Sequence, residues 1–284
     1  MTEILKVGVV GAGMMGSEIA LSFSQNGFYT VMSDVTLERA QQGKDNLVKV
    51  LDKRVTKGKI TEEEKKKYMD GIKPASTLED MADCDLVIEA AIEVLDVKWD
   101  VYKKLDSICK DKAIIASNTS SISITKLASV LSEVSAARFI GTHFNSPASV
   151  MKLVEIIPGL LTSDQTQAAV HAVLTKIRKE PVMVKDVTGF ALNRLFHAFY
   201  LEACRLIEEG VCSVEDVDKV CLYGLGHPMG IFKLLDLTGH DLNMNVDQIL
   251  FDAYGDRFRP SAYIQRLVDA GKLGKKTGEG FYKY

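Results

Sequence analysis

The sequence predicts an α/β fold with a doubly wound, mostly parallel sheet, followed by a smaller all-helical domain. From residue 1 to about 185, short Val- and Ile-rich runs alternate with longer runs of helical period, which is typical of buried parallel strands separated by helices. After residue 186 the strand-like runs stop, and helical periodicity continues to residue 284. We therefore expect a sheet domain over residues 1–185 and a helical domain over residues 186–284.

The first domain contains seven apolar runs of strand length, which are, in chain order, KVGVVG, YTVMSD, DLVIEA, AIIASN, RFIGTH, KLVEII and PVMVK. Helical runs lie between them, at residues 17–26, 93–109, 124–131 and 163–179. Residues 37–73 depart from this alternation, because they have helical periodicity without a strand-like run and are broken at TKGKIT. This pattern predicts a helical hairpin inserted into the sheet domain.

The second domain is predicted to consist of helices packed on one another. Its clearest helical run covers residues 190–209, and Ser213 is a predicted N-cap for the run SVEDVDKVCLYGLG. The runs HPMGIFKLLDL and PSAYIQRLVDAG continue the set. Because the apolar run FHAFYLEACRLI exceeds what a small bundle needs for its own core, we expect these helices to form a homodimer.

Composition and charge exclude several classes of protein. Hydrophobic residues make up 46% of the 284-residue chain and charged residues 26%, which is typical of a globular protein rather than a disordered or fibrous one. A formal net charge of −3 provides no overall field to attract nucleic acid or an anionic membrane. No apolar run reaches ~18 residues and no signal-peptide pattern opens the sequence, so we expect a cytoplasmic protein with no membrane partner.

The cysteines and histidines give no indication of a metal site. Five cysteines and five histidines are scattered along the chain without a C-x-x-C pair. This arrangement argues against both a disulfide framework and a zinc site. We therefore expect no metal in the mechanism.

A glycine-rich turn follows the first predicted strand in the segment VGVVGAGMMGSEIA. Gly11, Gly13 and Gly16 have the spacing G-x-G-x-x-G at the head of a helix. Gly11 permits a tight turn, Gly13 lets the backbone approach a pyrophosphate, and Gly16 lets the helix pack closely on the strand. Backbone N–H groups at the start of the helix, at Met14 and Met15, are then available to the phosphates. The segment predicts dinucleotide binding in a Rossmann-type domain.

The second predicted strand indicates which dinucleotide binds. It ends in Asp34, about 20 residues after the glycine turn, where a carboxylate can accept hydrogen bonds from both ribose hydroxyls. A carboxylate also repels a 2′-phosphate, and Arg39 lies one helical turn away rather than adjacent to it. NAD is therefore the expected cofactor, in preference to NADP.

Polar residues at the ends of later strands predict a catalytic centre, because open α/β sheets bind ligands at the carboxyl ends of their strands. His143 follows the run RFIGT, and Glu155 ends the returning run MKLVE. An antiparallel pair of strands would bring this carboxylate to the imidazole, where it fixes the tautomer and stabilises the imidazolium. The alternative is that Glu155 ends a strand facing solvent. Further polar candidates are SNTSS at residues 117–121 and Asn193 in TGFALNR.

Eight segments, taken together and in order, resemble the L-3-hydroxyacyl-CoA dehydrogenase family, in particular its short-chain members that act on 3-hydroxybutyryl-CoA. They are GAGMMGSEIA, CDLVIEAAIE, SNTSSISIT, THFNSPASVMKLVE, TGFALNR, SVEDVDK, HPMG and LGKKTGEGFYKY. The likeness covers nearly the whole chain with similar spacing. It implies reversible oxidation of a (3S)-3-hydroxyacyl-CoA to the 3-ketoacyl thioester, with a hydride passing to NAD.

The resemblance also implies roles for individual residues. His143 would be the general base, oriented by Glu155, and imidazole suits this task because it titrates near neutral pH. Ser120 and Asn193 would contact the substrate as polar partners of the reacting oxygens. Further cofactor contacts would come from Glu93, Lys98, Asn118, Ser120, Asn145, Ser146 and Lys276. For the three charged residues in that list, the alternative is a solvated charge on a helix surface.

The helical hairpin is the predicted site for the coenzyme A phosphates. Residues 44–73 contain ten basic and six acidic side chains, which leaves a net charge of +4 inside an acidic chain. Such a patch can attract a polyanion. Lys53 and Lys57 in LDKRVTKGK have few compensating acids and are the candidate contacts, although EEEKKK in the same hairpin is typical of an ordinary solvated helix.

The chain departs from the family pattern where a nicotinamide contact is expected. The usual His-Phe-Phe-Asn-Pro is here His143-Phe144-Asn145-Ser146-Pro147, so that Ser146 takes the place of the asparagine. Serine has a shorter side chain than asparagine and offers a single donor. Two other functions therefore stay open at this point. One is a dehydrogenase of a free 3-hydroxy acid, and the other, motivated by the altered pair, is a non-catalytic NAD-binding sensor.

Overall fold

The structure is a computed structural model that describes residues 4–284. The chain divides into two compact units, Met1–Val187 and Thr188–Tyr284. Within residues 4–284, no helix is both long enough and apolar enough to span a membrane. The first unit contains the sheet and the second consists of helices.

The first unit is built on an eight-stranded sheet in the order β3-β2-β1-β4-β5-β6-β7-β8 within the described residues. Strands β1 to β6 are all parallel, β7 is antiparallel to β6, and β8 is parallel to β7. The predicted doubly wound, mostly parallel sheet is thus confirmed. The strands are β1 (Lys6–Val10), β2 (Tyr29–Ser33), β3 (Ile72–Ala75), β4 (Leu86–Glu89), β5 (Ile114–Ser117), β6 (Phe139–Phe144), β7 (Leu153–Pro158) and β8 (Glu180–Met183).

Helices cover the sheet because the central strands are apolar on both faces. Every residue of β4 and β5 is buried, which explains their unbroken apolar runs. Polar N-caps begin several helices, and Thr61 with Glu64 forms a complete capping box. The helices are α1 (Met14–Ser24), α2 (Leu37–Thr56), α3 (Glu62–Asp70), α4 (Leu95–Ile108), α5 (Ile124–Ala128), α6 (Glu133–Ala136) and α7 (Asp164–Lys176), with a 3₁₀ turn at Leu78–Met81.

The predicted hairpin is present as α2 and α3, but the prediction that residues 37–73 contain no strand was wrong at their end. Ile72–Ala75 forms β3, which pairs in parallel with β2 at the margin of the sheet. The run is only four residues long and contains Lys73 and Pro74. An edge strand tolerates proline because only one of its sides needs backbone donors. The strand was therefore missed because it is short and because a charged residue interrupts its apolar pattern.

The second unit is all-helical, as predicted. Its core consists of buried side chains from most of the helices, among them Tyr200, Phe232, Leu250 and Ile264. Ser213 accepts a hydrogen bond from the backbone N–H of Asp216 and is the expected N-cap of α9. The helices are α8 (Leu192–Glu208), α9 (Val214–Lys219), α10 (Ile231–Thr238), α11 (His240–Tyr254) and α12 (Ala262–Asp269), with single turns at Val220–Gly224, Gly255–Phe258 and Lys275–Thr277.

A buried aspartate fastens the C-terminal end of the chain to this unit. Asp236 accepts hydrogen bonds from His240 Nε2 at 2.8 Å and from the backbone N–H groups of Phe281 at 2.8 Å and Tyr282 at 2.9 Å. The Tyr284 hydroxyl donates to it as well, at 3.0 Å. Burial opposes ionisation, but these donors outweigh it and hold the pKa of Asp236 below its usual value.

Candidate active site

The two strands β6 and β7 bring His143 and Glu155 together. In their antiparallel register these residues lie directly opposite each other, and His143 Nδ1 is 2.8 Å from Glu155 Oε2. Glu155 is 1% exposed, so the alternative of a solvent-facing acid at this position is wrong. A carboxylate can only accept at this contact, which places a proton on Nδ1 and the lone pair of the neutral ring on Nε2. The contact with Glu155 thus fixes the orientation of the imidazole ring.

The end of β6 is fixed by the loop that follows β5. Asn118 donates its backbone N–H to Glu89 O at 2.7 Å, and its side-chain oxygen accepts from the N–H of Phe144 at 2.9 Å. Asn118, expected to contact the cofactor, thus uses its amide oxygen to connect two strand ends. Asn145 and Ser146 lie just beyond, and the Ser146–Pro147 peptide bond is cis. Ser146 is exposed and Asn145 is partly buried.

Glu93 holds the loop that carries Ser120. Its Oε1 atom accepts hydrogen bonds from the backbone N–H groups of Ser120 at 3.0 Å and Ser121 at 3.1 Å, and also from the Thr119 hydroxyl. Burial would raise the pKa of Glu93, but the ammonium group of Lys98 and these donors lower it on balance. Glu93 is therefore a carboxylate that organises the backbone on either side of a predicted catalytic residue.

Lys98 is buried between two acids. Its ammonium group lies 2.7 Å from Glu89 Oε1 and 3.2 Å from Glu93 Oε2, and its side chain is 1% exposed. The alternative that Lys98 is a solvated helix-surface charge is therefore wrong. Glu93 keeps 35% of its side-chain surface exposed, so this cluster reaches the surface of the unit at one end.

Sequence reasoning missed Glu89, the last residue of β4, which is fully buried. Besides Lys98, its carboxylate accepts from the backbone N–H of Ala91 at 2.7 Å, from the Ser117 hydroxyl at 2.9 Å and from the Tyr102 hydroxyl. Burial, and next the charge of Glu89, raise the pKa of Tyr102 well above its usual value, so the phenol stays protonated and donates. One signal was available: DLVIEA is an apolar strand that ends in an acid.

The glycine turn has the shape required for a dinucleotide. Gly11 has a φ of +98°, and a Cβ at Gly16 would lie 1.8 Å from the Gly11 carbonyl oxygen, so both positions require glycine. A Cβ at Gly13 would meet nothing within 4 Å, which leaves the space that a pyrophosphate needs. Helix α1 begins at Met14, so its first N–H groups, including that of Met15, lie at this turn.

Asp34 is placed to complete the dinucleotide site. Its two oxygens accept from the backbone N–H groups of Ala12 and Val35, each at 2.8 Å, which orients the carboxylate beside the glycine turn. Each oxygen retains further acceptor capacity for ribose hydroxyls. The turn, the helix start and the carboxylate therefore fit NAD on this structure's own geometry.

The predicted coenzyme A residues lie at the end of the first hairpin helix. Lys53 is in the last turn of α2 and Lys57 caps it, and both are exposed. Their neighbour Arg54 is instead tied to the body of the unit, since it bonds the Ser149 hydroxyl and, at 3.4 Å, the amide oxygen of Gln25. Lys53 and Lys57 thus remain candidates for an anionic ligand, whereas Arg54 is occupied by the protein.

Two predicted site residues belong to the second unit. Asn193 lies in the first turn of α8 and is partly buried. Lys276 is exposed and forms an ion pair with Asp241, with Nζ 2.6 Å from Oδ2. Within that unit, Lys276 is therefore an exposed charge that is paired with a carboxylate.

Comparison with known proteins shows which family this chain resembles. Residues 6–187 match the family model described as "3-hydroxyacyl-CoA dehydrogenase, NAD binding domain", and residues 189–284 match "3-hydroxyacyl-CoA dehydrogenase, C-terminal domain". The chain is 42% identical over 283 residues to a probable 3-hydroxybutyryl-CoA dehydrogenase of Bacillus subtilis, covering 99% of this chain and 98% of the relative. It is 40% identical to the 3-hydroxybutyryl-CoA dehydrogenase of Bradyrhizobium diazoefficiens, covering 99% of this chain and 96% of the relative.

A solved structure extends the likeness to three dimensions. The crystal structure of (S)-3-hydroxybutyryl-CoA dehydrogenase from Ralstonia eutropha superposes with a TM-score of 0.92 at 42% identity, covering 99% of each chain. The chain therefore belongs to the 3-hydroxyacyl-CoA dehydrogenase family, and its cofactor is NAD.

Proposed function

We propose that the protein interconverts short-chain (3S)-3-hydroxyacyl-CoA and 3-ketoacyl-CoA thioesters, with 3-hydroxybutyryl-CoA and acetoacetyl-CoA as substrates. The observation that carries the proposal is the 2.8 Å contact between His143 Nδ1 and the buried carboxylate of Glu155. The names of the relatives from B. subtilis, B. diazoefficiens and R. eutropha support the choice of a four-carbon acyl group.

In oxidation, His143 acts as the general base through Nε2. It removes the proton from the C3 hydroxyl while the hydride leaves C3, and the proton returns by the same route in reduction. Glu155 keeps the donor hydrogen on Nδ1 and stabilises the imidazolium that forms. Bound NAD supplies the hydride acceptor for this step.

Ser120 and Asn193 are proposed as the polar partners of the reacting oxygens. The support for Ser120 is its backbone, which Glu93 fixes by hydrogen bonds to Ser120 and to the next residue. A hydroxyl on an anchored loop can hold a substrate oxygen with little loss of conformational entropy. The support for Asn193 is its match to TGFALNR in the family.

The coenzyme A group is proposed to bind along the hairpin. The exposed ammonium groups of Lys53 and Lys57 supply positive charge at the end of α2. A phosphate can approach them without displacing an internal contact, unlike Arg54. Phosphate contacts of this kind would hold the thioester at a fixed distance from the hydride-transfer site.

The test is the reduction of acetoacetyl-CoA, followed by the loss of NADH absorbance. His143→Ala should lower kcat by ~10²-fold or more while NADH still binds. His171→Ala is the matched control, because His171 is exposed on α7 and should leave kcat unchanged. Near-normal turnover in His143→Ala would remove His143 from the mechanism.

The same assay separates two rival functions. A dehydrogenase of a free 3-hydroxy acid would turn over the acid as well as its thioester. A non-catalytic sensor would bind NADH tightly and convert no acyl-CoA of any length. The buried His143–Glu155 pair favours the enzyme, because a sensor has no use for an oriented base.

We further propose that the second unit mediates a homodimer. Its helices expose large apolar side chains, including Leu195 at 73%, Val220 at 58% and Tyr223 at 85% exposure. Clusters of exposed apolar residues mark interaction surfaces in many proteins. Light scattering should give twice the chain mass, and a monomer at micromolar concentration would contradict the proposal.

A further inference from the structure

The cluster formed by the buried residues Glu89 and Lys98 and the partly exposed Glu93 carries a surplus of negative charge. Two carboxylates contact one ammonium group, at 2.7 Å and 3.2 Å. Both oxygens of Glu89 accept hydrogen bonds, which is the role of a carboxylate. The net charge of the cluster is therefore −1.

Stability does not explain this surplus. Burying a charge is costly even when it is paired, and a neutral side chain of the same size commonly serves as well or better. A second acid that lies beside a buried ion pair and next to a ligand is a candidate for function. The question is which ligand charge the cluster faces.

The order of the strands answers it. Asp34 follows β2, on one side of β1, where the carboxylate suits the adenosine ribose, and the pyrophosphate belongs at the start of α1. The other half of the dinucleotide must then extend across β4 and β5 towards His143 on β6, because the hydride has to reach the substrate there. Glu89 ends β4, the strand next to β1 on that side. The cluster consequently lies on the nicotinamide side of the site.

We infer that the Glu89–Lys98–Glu93 cluster makes the site discriminate between the two redox forms of the cofactor, binding NAD⁺ more tightly relative to NADH than a neutral cluster would. The two forms differ by a positive charge on the nicotinamide ring, which the cluster attracts only in NAD⁺. Their phosphates and riboses are the same. Tighter binding of NAD⁺ than of NADH shifts the equilibrium on the enzyme towards bound NAD⁺. It therefore favours the 3-hydroxyacyl thioester over the 3-ketoacyl thioester in the bound state.

The same cluster also fixes the loop that carries Ser120, and this structural role is distinct from the effect of its charge. Glu89 and Ser117 together hold the start of the Ser120 loop, since Thr119 N–H donates to Ser117 Oγ at 3.2 Å. Loss of that anchoring would weaken both cofactor forms alike. Only a charge effect changes the ratio of their affinities.

The experiment measures the dissociation constants of NAD⁺ and NADH by isothermal titration calorimetry on the full chain. Glu89→Gln removes the surplus charge, and its amide can still donate to the Ser117 and Tyr102 hydroxyl oxygens. The ratio Kd(NAD⁺)/Kd(NADH) should rise about tenfold, the effect expected of one unit charge in a partly solvated site. Glu93→Gln changes the net charge equally and should move the ratio in the same direction, which keeps the test open if Glu89→Gln does not fold.

Two controls separate charge from structure. Tyr102→Phe deletes a hydrogen bond to Glu89 without changing the net charge, so it should leave the ratio unaltered even if both affinities fall. Glu79→Gln makes the same charge change at an exposed glutamate whose partner is Lys104 and should also leave it unaltered. An unchanged ratio in both glutamine variants of the cluster, or an equal shift in Tyr102→Phe, would overturn the inference.

The inference rests on the proposed function for the redox role of the cofactor, yet it fails separately. If the wild-type protein reduces acetoacetyl-CoA and the ratio does not respond to the cluster, only the inference is lost. If the ratio responds but no acyl-CoA is converted, the cluster acts as inferred and the proposed function is lost.

Discussion

Replacing Glu155 by glutamine tests whether the carboxylate behind His143 contributes its charge to the reaction. Glutamine preserves the shape of the side chain, and its oxygen can still accept from Nδ1. The negative charge that stabilises the imidazolium is gone. The two side chains are only 10% and 2% exposed, so solvent cannot replace that charge.

The size of the effect follows from this burial. Removing one partner of a buried ion pair costs about 3–5 kcal/mol, and the pair is fully ionic only when His143 carries the substrate proton. Since about 1.4 kcal/mol corresponds to a factor of ten in rate, kcat should fall by about 10²-fold to about 4 × 10³-fold. The NADH dissociation constant should change by less than about threefold, because Glu155 acts through the imidazole rather than on the cofactor.

The assay is steady-state reduction of acetoacetyl-CoA with saturating NADH, together with a thermal unfolding measurement. Asp247→Asn is the matched control, because His197 Nδ1 lies 2.8 Å from Asp247 Oδ1 in an equally buried pair outside the proposed catalytic machinery. That variant should alter the unfolding temperature with kcat nearly unchanged. A Glu155→Gln enzyme whose kcat stays within about threefold of wild type would refute the reasoning.

Three further predictions concern the cofactor turn, the C-terminal unit and the hairpin. Gly13→Ala should leave the unfolding temperature unchanged and weaken NADH binding at least about tenfold, as measured by titration. Gly16→Ala should lower the unfolding temperature, because a Cβ at Gly16, unlike one at Gly13, would collide with the backbone. The pKa of Asp236 is lower in the folded protein than in the unfolded chain, so its ionised form stabilises the folded state. Unfolding midpoints should therefore fall as the pH drops below about 4, the pKa of an aspartate in the unfolded chain. Asp236→Asn should lower the midpoint at neutral pH and flatten this acid dependence. Lys53→Glu with Lys57→Glu should raise the KM for acetoacetyl-CoA about tenfold and change the KM for NADH little; equal effects on both would contradict a coenzyme A contact.

The sheet domain was predictable because its strands are apolar on both faces. Short apolar runs such as DLVIEA and AIIASN are typical of strands inside a parallel sheet, and both form buried strands. The edge strand β3 was missed because an edge needs little burial, so Pro74 and Lys73 are tolerated there.

Some residues of the candidate site were likewise predictable from the sequence, and others were not. Gly11, Gly16 and Asp34 were predictable because local backbone geometry requires those residue types at that spacing. Glu89 was not predictable, because its role depends on contacts with Lys98 and Tyr102, which lie on the following helix, α4. No spacing rule connects a strand end with the buried face of the following helix, so such clusters become visible only when the fold is known.

The register between β6 and β7 has a consequence for how this enzyme can diversify. His143 and Glu155 are cross-strand neighbours, held by the ladder and not by the residues 145–152 that join the strands. Insertions or deletions in that connection can therefore change its length while His143 and Glu155 keep their alignment. A shift of one residue in the ladder would turn the acid to the opposite face of the sheet and abolish the couple. The alignment of the pair is thus encoded in the two strands of one β-hairpin and is independent of the length of the connection between them.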